Sequence, residues 1–126
     1  MKIIRNSDIE YQPASHEDPQ DPGVLKKVLL RGTDFIKGEI QMINWSKLPV
    51  GKAFAQHYHE SLQEVFVMLS GTARITVEHE SAHLEKGDAV VIEPNEKHVM
   101  QNTSQEDVYY IALGIASDTN GKTVVV

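Results

Sequence analysis

His57 and His59, followed by Glu64 and, further along, His98, are the residues whose types and spacing could do chemistry, and that chemistry is metal binding. Two histidines at a spacing of two send both imidazoles to the same face of a strand, because side chains alternate with a period of two. Tyr58 then points the other way. A turn at Glu60, Ser61 and Leu62 lets the chain double back, so that Glu64, early on the next strand, adds a carboxylate beside the imidazoles. His98 completes the set from a distant hairpin. Three neutral imidazoles and one carboxylate form a site of intermediate hardness that suits one divalent transition metal, Mn, Fe, Co, Ni, Cu or Zn, without choosing among them. Four protein ligands fill a tetrahedral site but leave two positions open on an octahedral ion, which could then take substrate, water or dioxygen. Glu64 has a second expected role, as the catalytic general base. A lone histidine on a strand is usually hydrogen-bonded or exposed, and it is the convergence of four donors that argues for a site. His16, His79 and His83 are accordingly expected to be exposed, the first in an acidic segment and the others flanking a polar hairpin.

The elements that must position these donors are short strands. Residues 53–60, 64–69 and 72–77 read as three strands in quick succession, with a hairpin loop over 78–82. Turns at Lys86-Gly87-Asp88 and Pro94-Asn95-Glu96 bracket a short apolar strand at 89–92, and strands at 98–102 and 108–115 follow. Asn120-Gly121 offers a hairpin turn before the β-branched end at Val124, Val125 and Val126. Upstream, 38–45 reads as a strand buried partly on both sides, and 24–30 as a short strand or a helical turn. No amphipathic helix is evident, so the chain reads as an all-β barrel or sandwich. Residues 1–23, acidic and containing Pro13, Pro19 and Pro22, read as an extended arm, with the barrel domain over 24–126.

Strand parity also predicts the cavity. It puts Ala53 and Ala55 beside His57 and His59, and Phe66, Met68, Met100 and Asn102 on the face shared by Glu64 and His98. Ala55, Phe66, Met68 and Met100 are the substrate-binding candidates, with ordinary core as the competing reading for each. One of Tyr109 and Tyr110 faces the interior, and parity alone does not say which. No Arg or Lys is placed to face the metal, which weighs against a phosphorylated sugar as substrate.

The 126 residues suit one domain, and the net charge of -6 argues against a nucleic-acid partner or an anionic membrane surface. The absence of cysteine removes disulfides, thiolate catalysis and zinc-thiolate sites. Met1-Lys2-Ile3-Ile4-Arg5-Asn6 turns polar at once and no stretch approaches a membrane span, so a cytoplasmic protein is expected.

Gly51, His57, His59, Glu64 and Gly71, at their observed spacing, resemble the first motif of the cupins, and Gly87, Pro94, His98 and Asn102 resemble the second. The proline stands one place late, and Glu96 stands where the family pattern has a glycine. Asn95 could supply the left-handed backbone conformation that the missing glycine would have given. The resemblance, to small single-domain cupins of the conserved-barrel type, implies a double-stranded β-helix, or jelly-roll, barrel. It also implies a homodimer, since similar cupins often place an N-terminal strand on a neighbouring subunit's sheet.

Three functions follow as expectations. The favoured one is a metal-dependent enzyme acting on a small, largely uncharged organic molecule, by dioxygen chemistry or by Lewis-acid isomerisation, hydration or lyase chemistry. The alternative is a non-catalytic small-molecule-binding or sensing cupin with the metal as anchor or staple. A metal-free structural barrel is the third.

Overall fold

The computed structural model describes residues 1–118 and 122–126, so the expected Asn120-Gly121 turn lies outside the described residues. In chain order the strands are β1 (Lys2–Ile4), β2 (Gln12–Pro13), β3 (Leu25–Lys26), β4 (Glu39–Leu48), β5 (His57–His59), β6 (Leu62–Ser70), β7 (Ala73–Val77), β8 (Glu80–Leu84), β9 (Ala89–Ile92), β10 (His98–Asn102), β11 (Val108–Ala116) and β12 (Thr123–Val125). Two single 3₁₀ turns, at Asn6–Asp8 and Gly32–Asp34, are the helical elements among the described residues. None of the helices is long and apolar enough to cross a membrane.

The strands form two five-stranded antiparallel sheets, ordered β1-β9-β6-β11-β4 and β12-β5-β10-β7-β8, with β2 and β3 as a separate pair. Period-two patterning explains which faces meet. In β7, Ala73, Ile75 and Val77 are buried while Arg74 is exposed, and β11 alternates the same way through Val108, Tyr110 and Ala112. The core lies between the sheets. Phe66, Met68, Val90, Ile92, Tyr110 and Ala112 from one sheet pack against Ala73, Ile75, Val77, Leu84 and Met100 from the other. This is the expected all-β double-stranded β-helix.

Strand β6 is buried on its outer face too, because residues of the 31–36 segment lie across it. Gln63, 1% exposed, donates through Nε2 to the Asp34 carbonyl (2.9 Å) and to Glu93 Oε1 (3.0 Å), and its Oε1 accepts from the Ile36 backbone N–H (3.1 Å). A buried amide is tolerated here because both its ends are satisfied.

Several elements differ from the sequence reading. Within the expected arm, Lys2–Ile4 joins the main sheet by pairing with β9, and Ile3 packs on the core. Arg5 and Asn6 then clamp onto Asp88, whose carboxylate accepts from Arg5 Nη1 (2.7 Å), the Asn6 backbone (3.2 Å) and the Glu85 backbone (2.9 Å). The expected strand at 24–30 contracts to Leu25–Lys26 against Gln12–Pro13. The loop expected at 78–82 is tighter, since Glu78 takes a left-handed conformation (φ 52°) and β8 begins at Glu80. Ile40, Ile43 and Trp45, expected to be partly covered, are 61–70% exposed. They stand on β4, the edge of its sheet, where only the Tyr109 ring lies near Trp45 (6.1 Å) among the described ring contacts.

Candidate metal centre

The topology brings the four donors together from both sheets. His57 and His59 lie on β5 and His98 on β10, and His57 is the direct antiparallel partner of His98. Glu64 comes from the facing sheet, where it pairs with Ile92 and Gly114. Three local features bring the strands into register. Ser61 takes a left-handed conformation (φ 59°) in the tight β5–β6 connection, which returns Glu64 toward the histidines. Asn95 has φ 70°, the conformation expected of it in place of a glycine, and its N–H donates to the His59 carbonyl (2.8 Å). Thr123 sits opposite His59 in the β5–β12 ladder.

The potential ligand atoms of His57, His59, Glu64 and His98 all lie within 4.8 Å of one another, and together they could hold a metal ion. The second nitrogen of each ring is tethered. His57 Nδ1 donates to the Ala55 carbonyl (2.7 Å) and His98 Nδ1 to the Glu96 carbonyl (2.9 Å). His59 Nδ1 meets Thr123 Oγ1 at 2.8 Å. A carbonyl can only accept, so in the neutral rings of His57 and His98 the proton is on Nδ1 and the lone pair on Nε2. That tethering is how metal-binding imidazoles are held in other proteins.

The Nε2 atoms converge on the carboxylate. Glu64 Oε1 lies 2.8 Å from His59 Nε2 and 3.1 Å from His98 Nε2. His59 Nε2 is buried against the Glu64 carboxylate. Lone pairs facing a carboxylate oxygen at these distances call for a positive charge among them, supplied by a proton on the ring or by a metal ion. The residues present therefore fit a divalent transition metal.

The same geometry sets the protonation states. Burial alone would raise the Glu64 pKa, but the His59 and His98 imidazoles more than offset that and hold it at about 2. His57 is pushed below the usual imidazole value, first by burial and then by the neighbouring His98 and His59, against the opposing pull of the Ala55 carbonyl. Deprotonated donors are the ones a metal requires.

Around the donors the structure departs from parity. The expected strand 53–60 is interrupted: Ala53 makes only an isolated bridge to Gln101, and the ladder resumes at His57. The period-two rule therefore does not carry back to Ala53 and Ala55, which are exposed. Ala55 contributes its carbonyl to His57 instead. Phe54 turns inward, its ring 5.3 Å from His57, 5.9 Å from His98 and 6.3 Å from Phe66. Phe66 is buried with its ring 6.2 Å from His98 and 5.1 Å from Tyr110. Met68 and Met100 are 1% and 0% exposed, inside the packed core. Tyr110 is the inward tyrosine, its hydroxyl pushed up in pKa chiefly by burial, while Tyr109 lies outside against Trp45. Asn102, also inward, spends its side chain on structure, donating to the Leu48 and Glu106 carbonyls and accepting from Ser104. His16, His79 and His83 are exposed.

Phe54 and Thr123 were not anticipated. The signal available for Phe54 was a large aromatic side chain set between the small Ala53 and Ala55, and nothing local to Thr123 marks its pairing with β5.

Known proteins share this framework. An uncharacterized protein of Methanocaldococcus jannaschii is 28% identical over 102 residues, which cover 81% of this chain and 78% of its own. A conserved Klebsiella pneumoniae protein with a double-stranded β-helix domain superposes with a TM-score of 0.61 at 18% identity, over 71% of this chain and 82% of its own. A cupin protein of Bacteroides fragilis gives a TM-score of 0.56 at 24% identity, over 61% and 66%. At these identities the two structural likenesses carry the fold alone. The family model described as Cupin domain matches residues 44–114, which takes in every strand from β5 to β10 and all four donors, and on that match the chain belongs to the cupin family.

Proposed function

We propose that His57, His59, Glu64 and His98 hold one divalent transition metal, and that the protein is a metal-dependent enzyme acting on a small, largely uncharged organic molecule. One observation carries the reading: three imidazoles tethered at Nδ1 turn Nε2 toward one carboxylate held ionised by its neighbours. When bound, such a metal supplies Lewis acidity or a site for dioxygen, which fits an oxygenase or an isomerase, hydratase or lyase. The chain's own residues would do the rest. Phe54 and Phe66 set an apolar aromatic boundary beside His98, which favours an uncharged ligand and limits water. Glu64, beyond its ligand role, is the proposed general base, accepting a proton at a carboxylate oxygen. Ala55 supports the site through its carbonyl, whereas the burial of Met68 and Met100 favours a packing role over substrate contact.

We also propose a homodimer. Ile40, Ile43 and Trp45 on the edge strand β4 present the apolar surface that supports it.

The test uses protein made without a chelating tag and loaded separately with Fe, Mn, Ni and Zn, then assayed for oxygen uptake and for turnover of diol, enol and keto-acid panels. Metal-dependent turnover that disappears in Glu64→Gln is the expected result. Uniform inactivity with compounds that bind and come off unchanged would replace the enzyme with a binding or sensing module.

A further inference from the structure

We infer that Thr123 is a positioning residue for the metal centre, its hydroxyl accepting the Nδ1–H of His59 and thereby presenting Nε2 to the other donors. The inference rests on the metal-binding reading proposed above. His57 and His98 are each tethered by the carbonyl of the residue two places earlier on their own segment, Ala55 and Glu96. His59 is tethered differently. Its partner is a side chain from β12, the edge strand of the sheet.

The backbone fixes that side chain beside the ring. Thr123 pairs with His59, Val124 with Tyr58 and Val125 with His57. Bonds flank the ladder at both ends, from the Glu60 N–H to the Lys122 carbonyl (2.8 Å) and from the Val126 N–H to the Gln56 carbonyl (2.9 Å). Thr123 Oγ1 is then 2.8 Å from Nδ1 in this register.

A hydroxyl, unlike a carbonyl, can either donate or accept, so the direction has to be settled by the rest of the ring. If Thr123 donated, a neutral His59 would carry its proton on Nε2. A proton on that atom would stand between the ring and Glu64 Oε1, 2.8 Å away, in the place that a cation shared with Glu64 must take. With Thr123 accepting, Nδ1 keeps the proton and the Nε2 lone pair is free for a cation. The side chain of β12 thus selects the tautomer that can ligate.

Two substitutions separate this role from simple strand support. Thr123→Val keeps the β-branched shape and strand preference but removes the acceptor, whereas Thr123→Ser keeps the hydroxyl and lowers strand preference. Long-range ¹H–¹⁵N spectra of the metal-free proteins, recorded at a pH where imidazoles are neutral, report the His59 tautomer. Competition titrations with Co(II) and Zn(II) report affinity. The expected result is a larger Nδ1–H fraction in wild type and Thr123→Ser than in Thr123→Val, with Glu64 pulling all three alike toward Nε2–H. Affinity should fall about 10- to 100-fold in Thr123→Val and stay near wild type in Thr123→Ser. The reverse order, with Ser weaker than Val, would show that strand support alone matters and would overturn the inference, as would an unchanged tautomer and affinity in Thr123→Val. Failure of wild type to bind either metal would strike the metal reading instead, with the tautomer spectra still deciding the role of Thr123.

Discussion

His57 and His98 face each other across the β5–β10 ladder with their rings 4.4 Å apart, and Phe54 packs against both. Two donors are thus locked by one backbone pairing, while Glu64 reaches them from the opposite sheet. Removing the pair should abolish the centre without emptying the core. Metal analysis of untagged protein is expected to find close to one equivalent in wild type. In the His57→Ala, His98→Ala double variant, affinity should fall by more than about 100-fold. Equal metal content in the two would sink the ligand assignment.

Acidification should weaken the metal-free protein in two windows. For His57 the folded pKa lies below the ordinary imidazole value of 6.5, so the unfolded chain binds a proton first and stability falls as pH drops below about 6.5. Glu64 behaves alike for a different reason. Its folded value of about 2 lies below the ordinary carboxylate value of 4.5, so its contribution is complete above about 4.5 and is lost as pH falls toward 2. Urea denaturation across pH should show both losses in wild type and only the upper one in Glu64→Gln.

Asn95 tests the irregular turn. Its φ of 70° suits glycine or asparagine, so Asn95→Ala should cost about 1 kcal/mol in metal-free stability, while Asn95→Gly should stay within about 0.5 kcal/mol. Because its N–H holds the His59 carbonyl, the alanine variant should also bind metal more weakly. An alanine variant as stable as wild type would deny the strain.

Met100 separates core from pocket. It is fully buried, so Met100→Ala should lose about 2–5 kcal/mol of stability by chemical denaturation. Met100→Leu should lose less than about 1.5 kcal/mol and leave metal affinity and ligand preference unchanged. A leucine variant that folds normally but changes its ligand preference would return Met100 to the substrate surface.

Trp45 is the chain's single tryptophan, 70% exposed on the β4 edge, and so reports on the proposed dimer directly. Its fluorescence should shift to the blue as concentration rises, and Trp45→Lys should sediment as a monomer with its fold intact. Wild type that sediments as a monomer at every concentration would remove the dimer.

How much of this was legible in the sequence depended on how far each inference had to reach along the chain. The period-two spacing of His57 and His59, the turn before Glu64 and the left-handed position at Asn95 are local, and the structure has all three. Parity also held for Phe66, Met68, Met100 and Asn102, whose strands are continuous. It failed at Ala53 and Ala55 because β5 is only three residues long, and alternation has no meaning across the irregular backbone before it. Thr123 and the β1–β9 pairing stayed hidden for another reason. Which distant strands become neighbours is decided by burial of whole sheets, and no short window of sequence encodes it. The exposure of Ile43 and Trp45 is a consequence of edge position, which their residue types cannot reveal.

The brevity of β5 has one further consequence. Two of the four donors ride on a strand that meets β10 at a single residue pair and β12 at three, whereas β6 and β11 pair over nearly their whole lengths. Fraying of that one strand would carry away His57 and His59 while leaving Glu64 and His98 anchored in the long ladders. Metal entry and exit are therefore expected to run at the pace of a local breathing motion, and bound metal should slow hydrogen exchange at the β5 amides far more than at those of β6.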